Sequence, residues 1–339
     1  MIEKLIEICK EKQPLYIQPH DFPDADAIGT AFGLQYILMQ YGIASEIIYV
    51  GNINRKSTRK VLQMFDIQMR QIDGCMEDTD HIICVDSQYG LGNNTQKAGD
   101  VFACIDHHPD MKTKEYEYSH VTVAGACVSL LVEEMIGLGL DIPKKLATIF
   151  LYALKIDTAE FSRGVTPLDL DVFKYLFGRA NQDKVYSLMN NNLELEDMKA
   201  LGEAIKNIRV VMDIGVTYVP FDCPNELVAI LSDFMLGIDE LNFTIVFSKQ
   251  KDGVRVSARS ILPFISAGEL IRRALKDVGS GGGHAMFAGG FIPNSGIEKL
   301  RNEDGSENSA TKILDKRIWK AYHELLDESA KDELNEEED

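Results

Sequence analysis

Four short segments concentrate aspartate and histidine where apolar runs stop: "IQPHDFPDADAIG" (His20, Asp24, Asp26), "IICVDSQ" (Asp86), "ACIDHHPD" (Asp106, His107, His108) and "ALKIDTAEFS" (Asp157). Carboxylates and imidazoles without thiolates suit Mn2+ or a similar divalent ion, whereas a cysteine-rich set points to zinc. The donors outnumber what one ion uses. Two ions about 3.5 to 4 Å apart, bridged by a carboxylate, would employ them, and such a pair stabilises both attacking and leaving oxygens of a phosphoryl transfer.

Each segment also has an ordinary structural reading. Pro23 stiffens the turn after a strand, and Asp26 stands where the N-cap of the helix beginning "AIGTAFG" is expected. Taken singly, Asp86 caps a turn and Asp157 ends a helix. In a parallel α/β sheet, however, the carboxyl ends of the strands line one edge, where sites are built. Residues far apart in sequence would meet there.

The elements that would position these groups lie between Leu15 and Asp157. Short β-rich runs ("LYIQP", "SEIIYVG", "HIICVD", "VFACID") alternate with helical periods ("DAIGTAFGLQYILMQYG", "STRKVLQMF", "AGACVSLLVEEMIGLG"). This predicts an α/β domain with a mostly parallel sheet flanked by helices. "PKKLATIFLYALKID" opens on a proline suited to a first helical turn and carries Asp157 to its end. "LELEDMKALGEAIKNIRVV", residues 193–211, reads as one long connecting helix. From Ile214 the pattern changes to "GVTYVP", "FTIVFSKQKDGVRVSARS" and "AGGFIP", with helices around 225–233 and 266–278 and an Asp-Gly hairpin signal in "KQKDGVR". The expected organisation is an α/β domain over 1–190, a helical linker over 191–213, a smaller α+β domain over 214–326 and an acidic tail over 327–339.

A chain of 339 residues with 45% hydrophobic content is long enough for two cores. Its net charge of -18 argues against a broad surface for long DNA or RNA, which needs clustered Lys and Arg. The tail "DESAKDELNEEED", with eight acids against one lysine, reads as a solvated, frayed end. The charged opening "MIEKLIEICKEKQP" matches neither a signal peptide nor a membrane span, so a cytoplasmic protein is expected. The scattered cysteines Cys9, Cys75, Cys84, Cys104, Cys127 and Cys223 read as free thiols.

Residues 279–290, "GSGGGHAMFAGG", read as a glycine-rich loop whose bare backbone N–H groups approach a phosphate or base. His284 lies within it, and Arg259 in "VRVSARS" offers a planar fork matched to phosphate.

Together, "HDFPDADAIGT", "VDSQ", "IDHHPD" and "KIDTAEF" resemble, in order, the four motifs of the DHH phosphoesterase superfamily, and "SGGGHAMFAGGF" resembles the signature of its companion domain, DHHA1. The resemblance covers roughly residues 1–325, and the overall size is similar to that of the short bacterial nanoRNases, oligoribonucleases that also act as pAp phosphatases. It implies a cleft between two domains and two Mn2+ ions. One ion would be held by His20, Asp24 and Asp86, the other by Asp26, Asp86, His107 and Asp157, with Asp86 as the bridge. Asp106 would support the metal-bound imidazole and His108 would face the substrate phosphate, both as catalytic residues. Ser257, Arg259, Gly282, Gly283 and His284 would hold the nucleotide. This chain has Phe287-Ala288-Gly289 where many relatives read Ala-Ala-Gly, Met111 where a polar residue is frequent, and Ala159 where glycine is common.

The function so implied is Mn2+-dependent release of nucleoside 5′-monophosphates from short oligoribonucleotides, with action on pAp. The partners expected are short oligonucleotides or mononucleotide bisphosphates, with neither long nucleic acid nor a membrane, and a homodimer is compatible with the chain. Two alternatives keep the chemistry and change the substrate, to linear or cyclic dinucleotide second messengers or to polyphosphate. A nucleotide sensor with a decayed site would lack ligands, and none is missing.

Overall fold

The computed structural model describes residues 2–72, 76–90, 93–95, 99–190, 193–262, 264–302 and 309–336. Two units divide the chain, Met1–Leu193 and Glu194–Asp339. In the first, the strands are β1 (Leu15–Gln18), β2 (Glu46–Tyr49), β3 (Arg70–Gln71), β4 (His81–Val85), β5 (Asp100–Asp106) and β6 (Tyr118–Val121). Its helices are α1 (Ile2–Cys9), α2 (Ala25–Gln40), α3 (Lys56–Met64), α4 (Cys127–Gly137), α5 (Lys144–Asp157), α6 (Pro167–Phe177) and α7 (Gln182–Asn190).

The uninterrupted apolar runs become strands buried on both faces, as parallel sheets require. β4 shows why: Ile83 and Val85 join the larger core under α2, α4 and α5, while Ile82 and Cys84 join a smaller one with Ile48, Val101 and Cys104. Each such side chain, fully buried, is worth roughly 1.5–3 kcal/mol. α2 comes close to its neighbours because Gly33 lacks a side chain, a Cβ there lying 2.5 Å from Phe150 and 2.6 Å from Leu131.

The six strands run in the order β3-β2-β1-β4-β5-β6, and every pairing is parallel. The order reverses direction between β1 and β4, so the loops leaving these neighbours diverge and open a crevice at the carboxyl edge. Among the described residues no helix lies between β4 and β5 or between β5 and β6. Asp86, His107 and His108 stand in those connections, directly after β4 and β5.

The second unit contains α8 (Asp197–Asn207), β7 (Arg209–Val211), β8 (Ile214–Val219), α9 (Asn225–Leu236), β9 (Phe243–Lys249), β10 (Gly253–Ser260), α10 (Ala267–Ala274), β11 (Ser280–Gly283), β12 (Phe287–Pro293), α11 (Asn294–Asn302) and α12 (Ser309–Glu336). Its sheet runs β11-β12-β10-β9-β8-β7, antiparallel except for β8 beside β9. Val256 and Ala258 share a core with Ile271 of α10 and Ile318 of α12; Val246 packs with Ala200 and Ala204 of α8 and with Val228 and Leu231 of α9.

Three sequence expectations are corrected. Residues 193–211 are not one helix: α8 ends at Asn207 and 209–211 form an edge strand, because their backbone groups pair with β8. The glycine-rich loop is largely a hairpin, with Ser280–Gly283 paired to β12. The acidic tail continues α12 as helix to Glu336, with the Arg273 fork donating to Glu328 at 2.8 and 2.9 Å; residues 337–339 lie outside the described residues. Cys9, Cys84, Cys104, Cys127 and Cys223 are buried free thiols, and Cys75 is outside the described residues. No described helix is long and apolar enough to cross a membrane.

Candidate metal centre

His20 and Asp24 follow β1 at the point where the strand order reverses. The N-cap of α2 is Asp24 and not Asp26: its Oδ1 accepts from the N–H groups of Asp26 and Ala27 at 3.0 and 3.1 Å. The helix starts two residues earlier than expected, which places Asp26 in its first turn. There the Asp26 carboxylate, 2% exposed, accepts the N–H groups of Cys127 (2.6 Å) and Val128 (3.0 Å) at the start of α4. A carboxylate at a helix N-terminus is favoured by the helix dipole. Asp24 keeps Oδ2 for His20, whose Nε2 is 3.7 Å away, and the same nitrogen lies 3.6 Å from Asp86 Oδ2.

Asp86 follows β4 with φ +54°, a left-handed conformation that a non-glycine residue adopts at a cost. Its other oxygen, Oδ1, is 3.2 Å from His107 Nε2, which is 3.5 Å from Asp157 Oδ2. One buried carboxylate is thus shared between His20 and His107. Three sets of donor atoms each gather within 4.8 Å: His20, Asp24 and Asp86; Asp26, His107 and Asp157; and Asp86, His107 and His108.

The support of the histidines differs from expectation. Asp106 holds His108, not His107, with Oδ1 2.8 Å from His108 Nδ1, and its Oδ2 accepts from Gln88 Nε2 at 2.7 Å. Residues two apart at a strand end share a side, so 106 pairs with 108 while 107 points the other way. His107 is held by the Ala124 carbonyl at 2.9 Å from Nδ1, and His20 by the Asp21 carbonyl at 2.8 Å. A neutral ring donating through Nδ1 leaves Nε2 as a lone pair, the form a metal ligand needs.

That tautomer sets a lone pair on His107 against Asp86 Oδ1, a buried atom without a hydrogen-bond donor. Two acceptors 3.2 Å apart require a cation between them, either a proton or a metal. Without metal the protons stay: burial opposes the charge on His20, yet the hydrogen bond and charge of Asp24 and the charge of Asp86 raise it to about 10, and against the same burial the hydrogen bond and charge of Asp86 hold His107 well above the ordinary imidazole value. Burial also lifts Asp26 well above the carboxylate range and Asp157 to about 7. The residues fit a divalent ion, whose charge would replace these protons.

The sign of the pH effect follows. Groups raised in the fold stabilise it fully below their unfolded values and lose that contribution as pH climbs through the folded ones. Metal-free protein is therefore expected to lose stability as pH rises through about 7 and on toward about 10, while the gain on adding Mn2+ grows over the same window. Calorimetric Tm with and without Mn2+ across that range checks this; a gain that shrinks with pH would contradict it.

Sequence reasoning missed the group that ties this loop cluster together. Asp169, fully buried near the start of α6, accepts from Gly125 N (2.8 Å), Ser129 Oγ (2.6 Å), Thr166 N and Thr166 Oγ1 (both 2.7 Å). It anchors the segment 124–129 that holds His107 and Asp26. The available signal was the capping box "TPLD", which explains Thr166 and Asp169 locally but not Gly125 or Ser129.

In the second unit Arg259 is 9% exposed, and its fork is occupied: Nε and Nη2 donate to Asp233 at 2.5 and 3.2 Å, and Nη1 donates to Ser257 Oγ at 3.2 Å and the Ala258 carbonyl at 3.0 Å. The His284 ring is 4.5 Å from that of Phe287. Gly283 has φ +152° and packs against the 287–288 backbone, where a Cβ would lie 2.4 Å from the Phe287 carbonyl oxygen. Gly282 faces the Arg272 guanidinium. Arg259, Ser257, His284, Gly282 and Gly283 thus share one end of this sheet.

Residues 14–154 match the family model described as DHH family, N-terminal domain, and residues 212–319 match that of the DHHA1 domain. An uncharacterised protein of Methanocaldococcus jannaschii is 27% identical over 285 residues, 84% of this chain and 59% of that protein. A probable manganese-dependent inorganic pyrophosphatase of Streptococcus thermophilus is 25% identical over 149 residues, 42% of this chain and 48% of that one. The chain spans less than two thirds of the length of these curated relatives. Among solved structures, an exopolyphosphatase-related protein from Bacteroides fragilis has a similar fold, with a TM-score of 0.71, 18% identity and coverage of 96% of this chain and 97% of that one. Residues 14–154, in the first unit, thus form a DHH domain, and residues 212–319, in the second, a DHHA1 domain.

Proposed function

We propose that this chain is a Mn2+-dependent phosphoesterase that releases nucleoside monophosphates from short oligonucleotides and dephosphorylates pAp. The observation that carries the metal-dependent part is Asp86, a buried carboxylate in a left-handed conformation with one oxygen toward each of two separate donor groups. His20, Asp24 and Asp86 would hold one ion, and Asp26, Asp86, His107 and Asp157 the other. The donor set without thiolates supports manganese, as does the similarity to a probable manganese-dependent pyrophosphatase. When bound, such ions polarise a phosphoryl group and lower the pKa of water.

The residues around them do the positioning. His108 leans on Asp106, whose hydrogen bond raises the imidazole pKa despite burial, so its other nitrogen is set to donate a proton to a phosphate oxygen. Short substrates are supported over long ones by the net charge of -18, which repels an extended phosphate backbone while a local clamp serves a few phosphates.

The test is metal-free protein with and without Mn2+ against pApA, pGpG, 5-mer RNA, pAp, cyclic di-AMP, polyphosphate and pyrophosphate, resolved by chromatography. Turnover confined to the nucleotides supports the proposal; turnover of pyrophosphate or polyphosphate alone would replace the substrate class, and no turnover at all would remove the enzyme. Arg259→Ala is expected to raise KM for short oligonucleotides by about 10- to 150-fold with kcat little changed, the loss of one charge-assisted contact made when a phosphate takes the place of Asp233 on its fork. An equal fall in kcat would contradict a binding role.

A further inference from the structure

On β10 the side chains of Arg255, Ser257 and Arg259 alternate onto one face, and the antiparallel register sets Phe291, Gly289 and Phe287 of β12 beside them in that order. Gly282 of β11 pairs with Gly289 and extends the middle row. The face therefore has an Arg–Phe pair at each end of a row without bulk. Gly281 and Gly290 are explained by packing, since a Cβ at either would lie 2.6 Å from Ile271 or Leu275. Gly289 is not: it is exposed, has no left-handed φ, and a Cβ there would meet only the Val256 carbonyl at 3.9 Å.

The two ends carry recognition chemistry. Phe287 is half-buried, its ring 4.5 Å from that of His284 at a 34° tilt and 6.0 Å from the Arg259 guanidinium. Arg255 lies 5.2 Å from the Phe291 ring, and its Nε is buried without a hydrogen-bond acceptor. A buried guanidinium N–H lacking an acceptor is costly and suits an anion. An aromatic face suits a nucleobase, whichever base it is.

We propose that this face is a nucleotide groove in which Phe287, backed by His284, is the platform on which a base stacks, and Arg255 is a second phosphate-binding cation at the opposite end of the row from Arg259. The inference rests on the reading of the chain as a nucleotide phosphoesterase and adds two specificity-determining residues to it. Phe287 selects base-bearing over base-free phosphates, while Arg255 reads phosphate alone.

The experiment compares equilibrium binding of AMP, GMP and ribose 5-phosphate to metal-free wild type, Phe287→Ala, Phe287→Trp and Arg255→Gln, each checked for wild-type circular dichroism. Phe287→Ala is expected to weaken AMP and GMP by about 5- to 150-fold, the span carried by one stacked base, and to leave ribose 5-phosphate unchanged, with Phe287→Trp restoring the nucleotides. Arg255→Gln is expected to weaken all three ligands alike, by about 10- to 150-fold. Equal losses for AMP and ribose 5-phosphate in Phe287→Ala, or unchanged binding in either variant, would overturn the proposal. If wild type hydrolyses short oligonucleotides while both variants bind as it does, only the groove fails; if wild type hydrolyses no nucleotide, the reading beneath it fails too.

Discussion

Asp86→Asn is expected to abolish turnover, with kcat falling by at least about 10^3-fold, the upper range for removing a single preorganised electrostatic group at a reacting centre. Asparagine keeps the size of the side chain and tolerates the left-handed backbone at φ +54°, so the loss isolates the charge. Two donor groups share this carboxylate, through Oδ2 to His20 at 3.6 Å and Oδ1 to His107 at 3.2 Å, so its neutralisation weakens both ion positions together. Metal content measured alongside kcat should drop toward none from the two ions per chain that the proposal assigns. A variant that keeps one tightly bound ion and most of its activity would show that the two groups are independent.

The largest effect on stability is expected at a residue outside the donor set. Asp169→Ala removes the acceptor of four donors in a fully buried place, two of them backbone N–H groups of Gly125 and Thr166. Each buried donor left without an acceptor costs about 1–3 kcal/mol, so a loss of about 3–5 kcal/mol is expected, near the top of the range for single substitutions. The same change frees the segment 124–129, whose Ala124 carbonyl orients His107 and whose Cys127 and Val128 N–H groups hold Asp26. Denaturant titration gives the stability and Mn2+ titration the affinity. Asp169→Asn, which keeps one oxygen acceptor, should recover part of both, and a stability loss with unaltered Mn2+ affinity would sever the link to the centre.

The donor types and their positions at the ends of apolar runs were legible because chemistry and periodicity are both local: "DHH" after "VFACI" and "D" after "IICV" can be read as strand ends without knowing the fold. The parallel sheet was legible for the same reason, since two-sided burial writes itself as unbroken apolar runs. Helix starts were less so. Asp24 and Asp26 are both competent caps, and only the fold decides between them, since the N-terminus of α4 claims Asp26. Residues 209–211 were misread because "RVV" is neutral between an amphipathic helix end and an edge strand until β8 offers its hydrogen bonds.

The sequence by itself determined the metal chemistry available to this protein and the edge of the sheet where it gathers, because ligand type is a property of single residues and strand ends show where an unbroken apolar run stops. Only the tertiary structure decided which imidazole Asp106 supports, that Asp169 braces the centre, that Arg259 is already committed to Asp233, and that Phe287 and Arg255 share a face with a bare glycine row. Each of these is a contact across many residues of sequence or a choice of strand face. Such contacts are set by register and packing, which no single segment encodes.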